Sequence, residues 1–311
     1  MKQKITVYTP DMDEDSRWTR DRHLVHQATI CVPLGDCVRA TLGKVDPSTC
    51  EHLERNGFDQ APVKVPHAPL GWRLVATSHL RELASSSQPL TSHEQHFLRD
   101  DAMKVEMEGV AQIEYVVSEM ILRPAAIVFA EQSYAPLDSD DQEPERLIVL
   151  FGLTTRSDLN RQAVRAAVYD RLATAEMALA RFIRMTLQDR DWIRLLNEDA
   201  QARVLGWTEV SRLRGVDVDP VEATMLTDLI NVVARSKELR RRLGYKSSDE
   251  YDTQMGRIAK VRNAVMHPVR PLVLGEDDLH RLRQVLESTS DLEQRIRTAM
   301  SQDAGHVPNA Q

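Results

Sequence analysis

The sequence predicts an α+β N-terminal half followed by an all-α helical bundle, and three patterns carry that prediction. Over residues 29–160, short β-rich runs alternate with short helical segments. From Arg161 onward, apolar residues recur at helical spacing and no strand pattern is found. The charge divides at the same place. Residues 1–160 hold 16 Lys and Arg against 25 Asp and Glu, a net −9, whereas residues 161–311 hold 24 against 22, a net +2. An acidic half joined to a near-neutral, Arg-rich half suggests different partners for the two.

The 311 residues suffice for two or three compact domains. A composition of 42% hydrophobic and 28% charged residues is that of a soluble globular protein. The longest apolar runs, such as IVLFGL, are too short to span a bilayer, and the opening MKQKITVYTPDMDEDS has no signal-peptide core. The expectation is a cytoplasmic protein without a membrane partner. Cys31, Cys37 and Cys50 are odd in number and form no CxxC pair, so they read as small buried apolar residues, and no metal is expected. The net charge of −7 argues against tight, sequence-independent binding to duplex DNA but is compatible with a local RNA site.

Along the chain, residues 1–28 are polar and aperiodic and read as a partly ordered arm. PSTCEHLERNGF and GVAQIEYVVSEMILR read as helices, and IVF at 127–129 and RLIVLFGL at 146–153 as buried strands. The order helix, strand, strand, helix occurs twice, which predicts two copies of one unit over 29–160. SSSQPLTS at 85–92 reads as a hinge between the copies, and the acidic SYAPLDSDDQEPE at 133–145 as an exposed loop. In the second half, Val164, Val168, Leu172, Leu179 and Ile183 predict a long helix over 161–187. Met225, Leu229, Val233 and Leu239 predict a second that Gly244 stops. Asp249 caps a third running to Pro268, and Glu276 or Asp277 opens a fourth. The bundle thus spans 161–300, and residues 301–311 read as a disordered tail.

Two short motifs carry chemistry. The first is GLTTRSDL at 152–159, where a strand delivers Gly152 and Thr155 and the chain turns into a helix near Asp158. A hydroxyl and free N–H groups at a helix start can hold phosphate, and a carboxylate three residues on can accept from two ribose hydroxyls. The same Thr-x-x-Asp spacing also suits a helix cap with no ligand. GLTTRSDL resembles the closing signature of CBS domains, and GFDQAPV at 57–63 resembles the segment leading into the second CBS strand. RLVATSHLREL at 73–83 stands where the first closing signature belongs, but Ala76 replaces its Thr and His79 its Asp. The resemblance implies a pseudo-symmetric CBS pair over 29–160. It implies at most one adenosine-nucleotide site, with Thr155 on phosphate and Asp158 on ribose.

The second motif is IAKVRNAVMHP at 258–268. Pro268 disfavours helix at His267, so Arg262, Asn263 and His267 gather near a helix end. Asn263 and His267 are four residues apart and share a face; Arg262 is rotated from Asn263 by about 100°. RNxxxH, inside an all-helical region, resembles the Rx4–6H motif of HEPN domains over residues 165–300. That resemblance implies a homodimer that brings two motifs together and, in active members, RNA cleavage without a metal ion. The residue types suit such chemistry. Histidine exchanges protons near neutral pH, arginine's planar fork holds phosphate oxygens, and Asn263 can orient His267 or touch substrate. The pair can equally be ordinary interface residues of a domain that only binds RNA or assembles. HLVH at 23–26 and HEQH at 93–96 read as solvated side chains, the run Arg240–Arg242 as a solvated helix end facing the negative helix dipole or, alternatively, a guide for RNA, and there is no P-loop or GxSxG motif. Two readings follow: a metal-independent endoribonuclease regulated by an adenosine nucleotide, and a non-catalytic nucleotide sensor or scaffold that dimerises or binds RNA.

Overall fold

The computed structural model describes residues 3–7, 24–26, 31–33, 40–41, 46–65, 70–85, 102–106, 110–134, 145–267 and 269–304. The chain divides into two compact units, one of residues up to Ala167 with Val273–Leu279, the other Val168–Leu272 with the chain from His280. The first is α+β and the second all-helical.

In the first unit the expected repeat is present as topology. One copy comprises β4 (Ala40–Thr41), α1 (Pro47–Arg55), β5 (Gln60–Lys64), β6 (Trp72–Ala76) and α2 (Thr77–Ser85). The other comprises β7 (Ala102–Val105), β8 (Val110–Gln112), α3 (Ile113–Leu122), β9 (Ala125–Tyr134) and β10 (Glu145–Thr155), and leads through a 3-10 turn at Arg156–Asn160 into α4 (Gln162–Thr186). In each copy the hairpin strands are antiparallel, and a strand ahead of the helix runs parallel to the first of them: β4 along β5, β7 along β9. Parallel neighbours need a crossover, and the intervening helix supplies it.

Alternation along β6 divides its side chains between two cores. Trp72 and Leu74 pack with Ile127, Phe129, Ile148 and Leu150 of the second copy, while Val75 packs with Cys50, Leu53, Val63 and Leu80 of its own. Asp46 caps α1 by accepting from the Ser48 N–H at 2.9 Å, with Pro47 in the first turn.

Residues 3–7 depart from the expected arm. They form β1 (Gln3–Val7), parallel to β10 from Gln3–Arg146 to Val7–Leu150. Two shorter strands, β2 (Leu24–His26) on β8 and β3 (Val32–Pro33) on β10, also lie outside the expected set, and β2 contains part of HLVH. HEQH, Cys37, the hinge beyond Ser85 and loop residues 135–144 lie outside the described residues.

The helical unit is built on one-sided apolar faces. In α4, Val168, Leu172, Ala175, Leu179, Phe182 and Ile183 are buried, each large one contributing about 1.5–3 kcal/mol. After a 3-10 segment at Gln188–Leu195 come α5 (Glu198–Leu213), α6 (Leu226–Arg235), α7 (Lys237–Arg242), α8 (Ser248–Met266) and α9 (Glu276–Ala304). The second expected helix is thus two. Ser236 leaves helical conformation at φ −96°, ψ 108° and caps α7 by accepting from the Leu239 N–H at 3.2 Å. Gly244, at φ 74°, ends α7 as expected. The cap of α8 is Ser247, which accepts from the Glu250 N–H at 3.1 Å, rather than Asp249. Inside the unit, α4 and α9 are joined by Arg171, which donates to Glu293 at 2.5 Å and Ser290 at 2.7 Å. No helix among the described residues is long and apolar enough to cross a membrane.

Candidate functional sites

The GLTTRSDL segment closes the first unit's main sheet. Pairing between β9 and β10 slips at Leu150/Gly152, which adds local twist just before the motif. Beyond the slip Thr154 is fully buried and Thr155 is the last strand residue. The turn that follows is pinned by Arg156, which donates from Nε to the Met120 carbonyl at 2.8 Å and from Nη2 to Ile121 at 3.2 Å. It thereby satisfies carbonyls at the end of α3. Asn160 completes the frame: its amide donates to the Val273 carbonyl at 2.8 Å and accepts from the Val273 N–H at 2.9 Å.

Thr155 and Asp158, expected to act together, are brought together. Asp158 Oδ2 accepts from the Thr155 backbone N–H at 2.7 Å and from its hydroxyl at 2.9 Å. Asp158 Oδ1 meets Arg161 at 2.8 Å, and the residue is buried. This is the capping geometry that the spacing also allowed, with both carboxylate oxygens engaged inside the chain. A ribose reaching Asp158 would take the place of Arg161 on Oδ1 and of the Thr155 hydroxyl on Oδ2. Thr155 released in this way could turn its hydroxyl to a phosphate. Of the first copy's counterparts, Ala76 ends β6 and His79 lies in α2, a residue pair that offers neither hydroxyl nor carboxylate.

In the helical unit, α8 buries Tyr251, Met255, Ile258, Val261 and Val265 on one stripe, which fixes where its other side chains point. The helix ends at Met266. His267 follows at φ −108°, ψ 84°, with its N–H donating to the Ala264 carbonyl at 3.3 Å, as the following proline predicts. Asn263 and His267 are both exposed, one turn apart at the helix end. Arg262 is turned inward instead: its Nε is buried, makes no hydrogen bond and lies 4.0 Å from Glu176 Oε2 on α4. The motif thus contributes an exposed Asn–His pair and, around the helix, an arginine facing a carboxylate.

Glu176 was not singled out by sequence reasoning. Burial pushes its carboxyl above the ordinary range, against the opposing pull of Arg262 and of a hydrogen bond from the Leu226 backbone. A signal for it exists, since Glu176 lies four residues after Leu172 and three before Leu179, a carboxylate on the helix's apolar stripe. A groove between α8 and α9, lined by residues including Asp249, Arg257, Glu287 and Asp291, contains none of the three motif residues. Among the described residues no group of three or more His, Cys, Asp or Glu is placed to hold a metal. No known protein-family model and no curated protein matches the chain.

Proposed function

We propose that the chain is a metal-independent endoribonuclease of the HEPN type, regulated by an adenosine nucleotide on a CBS-type pair. The observation that carries the reading is the arrangement at the end of α8. An exposed histidine and asparagine lie one turn apart, with Arg262 around the helix facing Glu176, inside an all-helical unit. The repeated strand–helix–hairpin order of the first unit, with GLTTRSDL at the close of the second copy, supports the sensor half. In this reading His267 exchanges the proton of the attacking 2′-hydroxyl or of the leaving oxygen. Arg262 neutralises charge on the phosphate, and Asn263 orients His267 or substrate. Two chains bring their motifs together, and Thr155 and Asp158 hold the nucleotide.

The test uses purified full-length protein and mixed RNA in EDTA, with and without adenosine nucleotides. Cleavage by the wild type and its loss in Arg262→Ala and His267→Ala are expected. A second reading, a non-catalytic sensor or scaffold, is favoured by one observation: Asp158 and Arg262 both already face partners in their own chain, Thr155 with Arg161 and Glu176. Nucleotide binding without any RNA cleavage would select it.

A further inference from the structure

We propose that Glu176 is a latch on Arg262: its carboxylate balances the guanidinium from inside the helical unit and competes with an RNA phosphate for it. The proposal rests on the reading of Arg262 as a phosphate-binding residue. It concerns affinity for RNA rather than cleavage, so the two can fail separately.

A carboxylate on the apolar stripe of α4 needs a reason. Leu172, Ala175 and Leu179 around Glu176 are buried, and its own side chain is only 22% exposed. A charge placed there costs free energy unless an opposite charge answers it. Arg262 of α8 is that charge, the one charged group among the described residues that acts on Glu176. The Leu226 backbone, at the start of α6, adds a hydrogen bond.

The pair is held by charge and is not locked by geometry. Arg262 Nε is buried, yet it donates to nothing and lies 4.0 Å from Glu176 Oε2. Two other arginines of this unit face buried carboxylates and do form hydrogen bonds: Arg171 donates to Glu293 at 2.5 Å, and Arg203 donates to Asp228. The far edge of the Arg262 guanidinium is free in a different sense. Nη1 and Nη2 make no hydrogen bond among the described residues and are not buried. Their N–H groups suit the oxygens of a phosphate. A phosphate on that edge shares one guanidinium with Glu176, and like charges so placed repel. Drawing Arg262 outward breaks no hydrogen bond. Glu176 thus keeps Arg262 neutralised at rest and sets how tightly an RNA phosphate must bind to claim it.

The test is binding of the full-length chain to a fluorescein-labelled single-stranded oligoribonucleotide with 2′-O-methyl sugars, which has no 2′-hydroxyl to attack its own backbone. Glutamine at 176 keeps the shape and removes the charge. Anisotropy titrations at low salt should give Glu176→Gln a Kd lower than that of wild type by about fivefold or more. Glu176→Ala should show the same direction and serves if the glutamine variant fails to fold, as judged by circular dichroism. Arg262→Ala should bind more weakly than wild type, and adding Glu176→Gln to it should bring no gain. Tighter binding by Glu176→Gln beside a wild type that cuts no RNA supports the latch and removes only the ribonuclease reading. Three results overturn the latch: unchanged affinity in a folded Glu176 variant, an equal gain in the Arg262→Ala background, which would mark a general effect of net charge, or no binding of the oligonucleotide by any of the proteins.

Discussion

Asp158 holds the turn after β10 with both carboxylate oxygens, and in the proposed reading a ribose would use those same oxygens. Its oxygens accept from Thr155 and pair with Arg161, so removing it has two separable costs. Loss of the cap should lower stability by about 1 kcal/mol, seen as a lower melting temperature. Loss of the ribose contact should weaken adenosine-nucleotide binding about tenfold or more, since a hydrogen bond to a charged group contributes roughly 1.5–3 kcal/mol. Equal affinities of wild type and Asp158→Ala by calorimetry would leave only the cap. Glu176 makes a different prediction. Its carboxyl is raised by burial, so the folded chain holds the proton more tightly than the unfolded one. The resulting stability is present in acid and is lost as pH rises through the raised value. Glutamine mimics the protonated form. The melting temperature of Glu176→Gln relative to wild type should therefore be higher near pH 7 than near pH 4, and a flat difference would contradict the burial argument. The Thr155–Asp158 contact was legible because both residues lie in one short motif. The Arg262–Glu176 contact was not, because it joins two helices far apart in sequence.

Among the elements, legibility follows periodicity. Helices α4 and α9 begin and run close to where their apolar stripes place them, because each stripe faces a core. The break at Ser236 was hidden, since α6 and α7 keep one apolar rhythm while a single side chain reaches forward to cap α7. Helix α5 was invisible for the opposite reason: its large apolar residues face outward, so no inward stripe marks it. Strand β1 is five residues whose partner, β10, lies in a distant part of the chain. Two glycines offer a contrast at this scale. Gly244 sits at φ 74°, with Arg295 Nη1 at 3.2 Å from an added side chain, so Gly244→Ala should destabilise by about 1 kcal/mol or more. Gly206 is helical with open space around it, so Gly206→Ala should stabilise by about 0.5–1 kcal/mol. Thermal unfolding of the two variants should move in opposite directions, and a shared direction would contradict the assigned backbone conformations.

At the scale of the whole chain, the change from α+β to all-helical sequence was read at residue 160, and the compact units divide at Ala167/Val168 inside α4. Val273–Leu279 belong to the first unit, tied to it by the paired hydrogen bonds of Asn160 with Val273, a contact no local pattern announces. The helix named as ending near residue 300 continues to Ala304. In the proposed reading, function at this scale rests on three residues at the end of α8, and one assay addresses them most directly: RNA cleavage by the full-length chain in excess EDTA. The wild type should cut. Arg262→Ala and His267→Ala, shown to be folded by circular dichroism, should each lose about 10²–10⁴-fold in rate, the contribution expected of a positioned proton donor or acceptor. Arg262→Lys, which keeps the charge without the fork, should recover only part. Cleavage that persists in a folded His267→Ala protein, or that stops when magnesium is chelated, would contradict the ribonuclease assignment.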